Sequence, residues 1–306
     1  MLFRSPEFAE FRRIWAVPDA GRTWVLRQPE LAATYRRLAS GGAGEFYGGE
    51  LARRAVDFTG RHGGLMRGTD WTGYRPRLRE PVRTTYRGHE VVGFPPPSSG
   101  GVHVAQILNI LERFDLRALG EDSPATVHVI VEAMKRAFAD RARWLGDPDH
   151  VRVPHGLVDP GYAASLAAGI DHGHATDVAG AGVPPGLDSD VFESERWRHT
   201  THFSAVDAEG NWAGCTATIN TSFGSKVVVP GTGLVLNNEM DDFAAAPGVP
   251  NFFGLVGAEA NAVAGGKRPL SSMSPTVVLK DGKPVLVVGA ARSEEHTSEL
   301  QSRQYL

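Results

Sequence analysis

An α+β fold, with helices grouped ahead of paired strands, is the architecture this 306-residue sequence predicts. Three observations carry that expectation. Apolar residues recur at helical spacing through the first half, and a two-residue alternation takes over after residue 200. The strands also come as hairpins about short polar turns, without the helix-strand alternation of a parallel sheet. Hydrophobic residues at 42% and charged residues at 22% are ordinary for a globular chain long enough to bury a substantial core.

Taken in order, Pro29-Glu30-Leu31 opens a helix whose apolar positions reach Leu38 and which Gly41-Gly42 should end. A second helix is expected over 49–58, stopping near Gly63-Gly64. Residues 84–93 read as two β-rich runs about Gly88, a hairpin. Pro95-Pro96-Pro97-Ser98-Ser99-Gly100-Gly101 is a stiff start to a helix with Val104, Ile107, Leu108 and Leu111 on one face. Ser123-Pro124 is a good N-cap with proline at the first helical position. The helix it opens should turn Val127, Ile130, Met134, Ala137 and Phe138 inward and stop at Gly146-Asp147-Pro148. Residues 171–199 are rich in Gly, Pro, Asp and Ala with no period, and read as an exposed, mobile linker. His172 and His174 lie in it with no third metal ligand at suitable spacing. After the linker, 202–206 and 212–219 flank the turn 207–211, and 231–236 is a further strand. Runs 276–280 and 284–288 flank Asp281-Gly282-Lys283 as a second hairpin.

Several function classes are disfavoured. A formal net charge of -3, with no basic run interleaved with aromatics, gives no footprint for nucleic acid. The single cysteine, Cys215, permits neither an internal disulfide nor a cysteine-based metal site. No apolar stretch has the length of a membrane span. The opening MLFRSPEFAEFRRIW places Arg and Glu where a secretory signal needs an apolar core. Small-molecule chemistry with no cofactor is the reading that remains.

The most informative segment is His199-Thr200-Thr201-His202-Phe203-Ser204. A threonine hydroxyl is a weak nucleophile and needs a nearby base. Cleavage before Thr200 would free an α-amine with a pKa of about 7.7–8.0, within reach of its own hydroxyl. Taken alone, a Thr-Thr pair ahead of a strand is equally well a pair of β-formers. Likewise, Asn237-Asn238 and Asp241-Asp242 read as turn residues, Ser271-Ser272 as a cap, and Thr218 as a strand residue.

Five ordered motifs shift that balance. PPPSSGG with HVAQILNILERFDL, then TTHFSAVDAEGN, NNEMDDF, PGVPNFFGLVG and KRPLSSMSPT together resemble the γ-glutamyltransferase family, almost continuously from about residue 25 to 291. The resemblance implies a partial four-layer αββα sandwich of the N-terminal-nucleophile hydrolase type and self-cleavage between His199 and Thr200. It implies that Thr200 is the nucleophile and that Thr218 orients its amine. Asn220, Glu239 and Asp242 would hold the α-ammonium of a γ-glutamyl group, and Ser271 and Ser272 its α-carboxylate. Residues 246–250 match a loop that lies over the bound glutamyl group in some members. The expected partners are a glutathione-like γ-glutamyl substrate and an amino-acid or peptide acceptor. On this reading 1–199 belongs to a large-subunit region, and 200–291 to a small-subunit region of the same structural domain. The intact parent is expected to be exported. A cephalosporin acylase-like relative with another acyl group, or a chain that neither matures nor catalyses, are the alternatives.

Two departures from the family pattern stand out. Members carry a Gly-Gly pair, the oxyanion hole, just after the strand ending near Gly289, where this chain has Arg292-Ser293. The family's carboxylate-binding arginine falls ahead of Met1. Residues 292–306 lack Gly, Ala, Val and Pro altogether. The stretch 292–302 resembles the translation of a common sequencing-library adapter, so 292–306 is expected to be a non-native tail.

Overall fold

The computed structural model describes residues 9–15, 25–185, 200–221, 223–249, 251 and 255–290. The chain divides into two compact units, Met1–Leu78 with Ile219–Asn238, and Arg79–Thr218 with Glu239–Leu306.

The first unit holds helices α1 (Ala9–Trp15), α2 (Pro29–Tyr47), α3 (Glu50–Arg61) and α4 (Gly68–Thr72) and a small ladder. Proline in its first turn starts α2 as expected, but the helix resumes beyond the glycine pair. Gly42, at φ 65° and ψ -162°, breaks it there, and a further segment runs on to Tyr47. Leu51, Ala52 and Ala55 form the buried stripe of α3. The strand expected over 231–236 shrinks to β6 (Leu234–Val235), paired antiparallel with β5 (Val228–Val229). The reason is local: Gly231 and Gly233 take positive φ, and a Cβ on Gly233 would lie 2.7 Å from the Leu31 nitrogen. Buried Thr34 donates its hydroxyl to the Thr232 carbonyl at 2.7 Å, tying this ladder to α2.

The second unit is built on an antiparallel sheet ordered β1-β2-β7-β8, with β1 Val82–Tyr86, β2 His89–Gly93, β7 Thr276–Lys280 and β8 Lys283–Val288. Both hairpins predicted for this sheet form. Arg87 and Gly88, and then Asp281 and Gly282, each take positive φ, as a two-residue type I′ turn requires. A separate ladder pairs β3 (Thr201–Val206) with β4 (Trp212–Ala217). Helices α5 (Gly100–Leu111), α6 (Leu116–Leu119), α7 (Pro124–Trp144) and α8 (Pro160–Ala168) complete the unit. The first turn of α5 touches the end of β2. A Cβ on Gly101 would lie 2.3 Å from the Phe94 carbonyl oxygen and 2.7 Å from the Gly93 carbonyl carbon, so the approach requires glycine.

The inward faces of both long helices differ from the apolar stripes in the sequence. On α5 the buried residues include Val102, His103, Gln106, Asn109 and Ile110, while Val104, Ile107 and Leu108 are half-buried. On α7, Ser123 caps the helix by accepting from the Thr126 backbone N–H at 3.1 Å, as predicted. Val127, however, is 52% exposed, and the buried line runs through Val129, Glu132, Ala133, Arg136, Ala137, Asp140 and Arg141. Charged residues can lie there because each is hydrogen-bonded. Glu132 accepts from Lys135 (2.7 Å), Arg136 (2.7 Å) and the Thr176 backbone N–H (3.0 Å). Asp140 accepts from Gln106, from the Tyr162 hydroxyl (2.8 Å) and from the Gly182 N–H (2.7 Å). Trp144 donates to the Gly182 carbonyl at 3.1 Å, and Pro184 is buried. The first part of the expected linker is thus held along α7 to about residue 185. Only 171–175 are uniformly exposed, and 186–199 lie outside the described residues.

Gly101→Ala should destabilise the fold by about 1–3 kcal/mol through backbone overlap, read as a lower denaturant midpoint. A second expectation concerns Glu132. Burial alone would raise its carboxyl pKa, but the bonds from Lys135, Arg136 and Thr176 outweigh burial and bring it down to about 2. A depressed folded-state value gives stability that is complete above the unfolded carboxyl pKa of about 4.3 and is lost as pH falls through the folded one. Glu132→Gln should therefore cost about 3–5 kcal/mol near neutrality. That difference should shrink steadily as urea unfolding is repeated below about pH 4.

Candidate active site

Antiparallel pairing of β3 with β4 sets the first part of the site. Thr201 pairs with Ala217 and His202 with Thr216, which places Thr200, at the mouth of β3, opposite Thr218. The Thr200 hydroxyl points at the Thr218 hydroxyl across 3.5 Å, longer than a tight O–H···O bond. While the His199–Thr200 peptide is intact, the Thr200 nitrogen is an amide with no basic lone pair. The base of the expected chemistry exists only after cleavage. His199 itself lies outside the described residues.

Strand alternation extends this polar face to residues that the sequence did not single out. The His202 Nδ1 lies 2.8 Å from the Thr216 hydroxyl, and its Nε2 lies 3.0 Å from Ser204 Oγ. Burial pushes its pKa down, favouring the neutral ring. Gly289, just past the end of β8, abuts the same imidazole: a Cβ there would fall 2.3 Å from the ring. The sheet edge is thereby brought against the strand that carries Thr200.

A second group forms around two turns. Glu239–Asp242 is a 3₁₀ turn in which Asp242 is buried. Its main-chain carbonyl at Asp242 accepts from Asn261 Nδ2 at 2.8 Å, and Asn261 Oδ1 accepts from the Leu270 N–H at 3.0 Å. One buried asparagine therefore fixes the acidic turn to the residue preceding Ser271-Ser272. The serine pair is laced to the polyproline segment. Ser271 N–H donates to the Pro97 carbonyl (2.8 Å), Ser99 N–H to the Ser271 carbonyl (2.7 Å), and Ser98 Oγ to the Met273 carbonyl (2.6 Å). Beneath them lies Arg141, 4% exposed, which donates to Ser99 Oγ at 3.2 Å and Ser272 Oγ at 3.0 Å.

Asn220 belongs to the first unit. It is 2% exposed at φ 79°, a left-handed conformation that asparagine tolerates. Its Nδ2 donates to the Asn238 carbonyl at 3.0 Å, and Asn238 Oδ1 accepts from the Thr221 N–H at 3.0 Å. Of the expected residues, then, Thr200 is brought to Thr218, and the Glu239–Asp242 turn is tied to Ser271-Ser272, within one unit. Arg292-Ser293 and the whole 292–306 tail lie outside the described residues. Arg141, Asn261 and His202 are additions from the structure. Only His202 had a legible signal, its place two residues along β3 from Thr200.

Among the described residues no group of His, Cys, Asp and Glu is placed to hold a metal ion, and no helix is long and apolar enough to cross a membrane. His172 packs its ring 5.5 Å from Phe114, and His174 lies 3.5 Å from Asp171.

Comparison with known proteins converges on one family. The gamma-glutamyltranspeptidase family model matches residues 4–300. The glutathione hydrolase proenzyme of Escherichia coli (strain K12) is 46% identical over 267 residues, covering 87% of this chain and 45% of that protein. The acylase ACY 1 proenzyme of Pseudomonas sp. (strain SE83) is 41% identical over 265 residues, covering 86% of this chain and 44% of that protein. Among solved structures, cephalosporin acylase from Bacillus halodurans superposes with a TM-score of 0.75 at 27% identity, covering 92% of this chain and 48% of that one. The chain therefore spans a little under half the length of these relatives, and it belongs to the gamma-glutamyltranspeptidase family.

Proposed function

We propose that the protein carries the nucleophile of a γ-glutamyltransferase or glutathione hydrolase, made by self-cleavage between His199 and Thr200. The observation that carries this reading is the approach of Thr200 to Thr218 at the start of β3, in a chain whose relative in Escherichia coli is named a glutathione hydrolase proenzyme. A proenzyme name fits a precursor that must be cut before it acts. The freed α-amine takes the proton of the Thr200 hydroxyl as Oγ1 bonds to the γ-amide carbonyl carbon. That proton passes to the leaving amine as the C–N bond breaks, which leaves a γ-glutamyl ester on Thr200. Water, or the amine of an amino acid or peptide, then takes the acyl group.

In this reading Thr218 orients the amine, and Glu239, Asp242 and Asn220 receive the substrate ammonium, which needs acceptors. Ser271 and Ser272 donate to its α-carboxylate. The loop 246–250, in which the Gly248 N–H donates to the Gly257 carbonyl at 3.1 Å, would cover the glutamyl group. The four-layer αββα sandwich is the architecture proposed for the whole catalytic domain, and large and small subunits from one precursor its mature form.

A second reading, another acyl group on the same nucleophile, is favoured by the acylase relative and the cephalosporin acylase likeness. The acidic turn and the serine pair favour γ-glutamyl.

Incubated protein should run as two bands on denaturing electrophoresis, meeting between His199 and Thr200, and Thr200→Ala as one. A single uncut band from the unaltered protein under all conditions would remove the proposed activity from this chain. With a chromogenic γ-glutamyl anilide, Thr200→Ala should lose about 10⁴-fold or more in kcat, and Thr218→Val about 10-fold for one hydrogen bond. The rate should rise with pH to a plateau above about 8, as the α-amine loses its proton. Turnover of a cephalosporin-type acyl amide, with the glutamyl anilide untouched, would favour the second reading.

A further inference from the structure

The ladder of β3 and β4 stands apart from the four-stranded sheet, and a lone pair of strands is at best marginally stable in water. It must therefore be held by what its side chains touch. Every residue of β3 but His202 is exposed, while β4 alternates, with Trp212, Gly214 and Thr216 half-buried.

His202 is thus the residue through which β3 meets the rest of the unit. Its Nδ1 lies 2.8 Å from the hydroxyl of Thr216, its partner across the ladder, and its Nε2 lies 3.0 Å from Ser204 Oγ. Either hydroxyl can donate or accept, so a neutral ring satisfies both nitrogens in either tautomer. Gly289, just past β8, makes room for the imidazole: a Cβ there would fall 2.3 Å from Nδ1 and 2.4 Å from Cε1. Gly214 of β4 comes close to β8 as well, where a Cβ would lie 3.0 Å from Val287 Cγ2.

The proposed cleavage changes what is asked of this contact. While the chain is continuous, covalent bonds tether Thr200 on both sides. The cut makes it a chain terminus one residue ahead of β3, and termini stay ordered only when something ties them down. His202, two residues on, is the side chain of β3 placed to do so.

We propose that His202 is a positioning residue for the nucleophile: its ring, seated on Gly289 and hydrogen-bonded to Thr216, pegs the start of β3 against β8 and keeps Thr200 in place after the cut. The proposal rests on the reading of Thr200 as a nucleophile freed by cleavage.

The test joins amide hydrogen exchange to kinetics. In the cleaved protein, His202→Ala should speed exchange across residues 201–203 by about 10-fold or more, as the end of the strand opens locally. With the γ-glutamyl anilide, kcat should fall by about 10-fold while KM stays within about 2-fold, because the nucleophile is displaced and the substrate's other contacts are not. His202→Asn, whose amide can still reach Thr216, should recover part of kcat. Gly289→Ala should lower kcat by itself but cost nothing further beside His202→Ala, since the ring it would strike is gone. In Thr200→Ala, where residue 200 stays joined to His199, His202→Ala should change exchange at 201–203 by less than about 3-fold.

Faster exchange throughout β1, β2, β7 and β8 in the His202→Ala protein would mark a purely structural role and overturn the proposal. Equal loosening with and without the cut, additive effects of the two alanines, or an unchanged kcat in His202→Ala would each overturn it as well. Should His202→Ala fail to fold or to be cut, His202→Asn and Gly289→Ala decide, and an undiminished kcat in both would refute it. An unaltered protein that is never cut would instead sink the reading of Thr200 itself, and the role of His202 with it.

Discussion

Four charged side chains buried along α7 organise the larger unit. Glu132, Arg136, Asp140 and Arg141 are each under 10% exposed, and a buried charge without partners would cost several kcal/mol. Every one of them therefore draws in another segment. Arg136 pairs with Glu132 and bonds the Gly169 carbonyl at the end of α8. Glu132 takes the Thr176 N–H, and Asp140 the Gly182 N–H. Arg141 takes Ser99 in the polyproline segment and Ser272 within residues 270–273. The helix acts less as an apolar wall than as a row of anchors.

Two of those anchors bear on the proposed chemistry. Asp140, with Trp144, fixes Gly182, upstream of the His199–Thr200 bond proposed to be cut. Arg141 fixes the floor of the subsite proposed to recognise substrate. A Cβ on Gly182 would lie 2.1 Å from the Tyr162 hydroxyl, so that anchorage is as steric as it is polar. The strand that follows Thr200, the proposed nucleophile, is held differently. It depends on the ladder with β4 and on the contact of His202 with Gly289, both within a few residues of Thr200.

What the sequence revealed follows from the range of the interactions. Features closed by neighbours were legible: the Ser123 cap, the Arg87-Gly88 and Asp281-Gly282 turns, the break at Gly42, and the hairpin that sets Thr200 opposite Thr218. Features closed across long separations were not. Nothing beside Arg141 announces Ser272, and nothing beside Asn261 announces Asp242 and Leu270. The same limit explains why Val127 was expected inside α7 and lies outside. Apolar spacing locates a buried face only when that face is apolar, and here it carries ions. The roles proposed for the individual site residues rest on family motifs, since a threonine pair or a serine pair has ordinary local uses.

The most direct measurement is covalent trapping with an electrophilic glutamine analogue bearing a diazoketone at the γ position, which alkylates the attacking oxygen with loss of N₂. Peptide mapping by mass spectrometry then locates the adduct. The account predicts modification on a peptide whose first residue is Thr200, with no adduct in Thr200→Ala. An adduct on any other residue, or γ-glutamyl turnover by a protein in which Thr200 is still joined to His199, would contradict it.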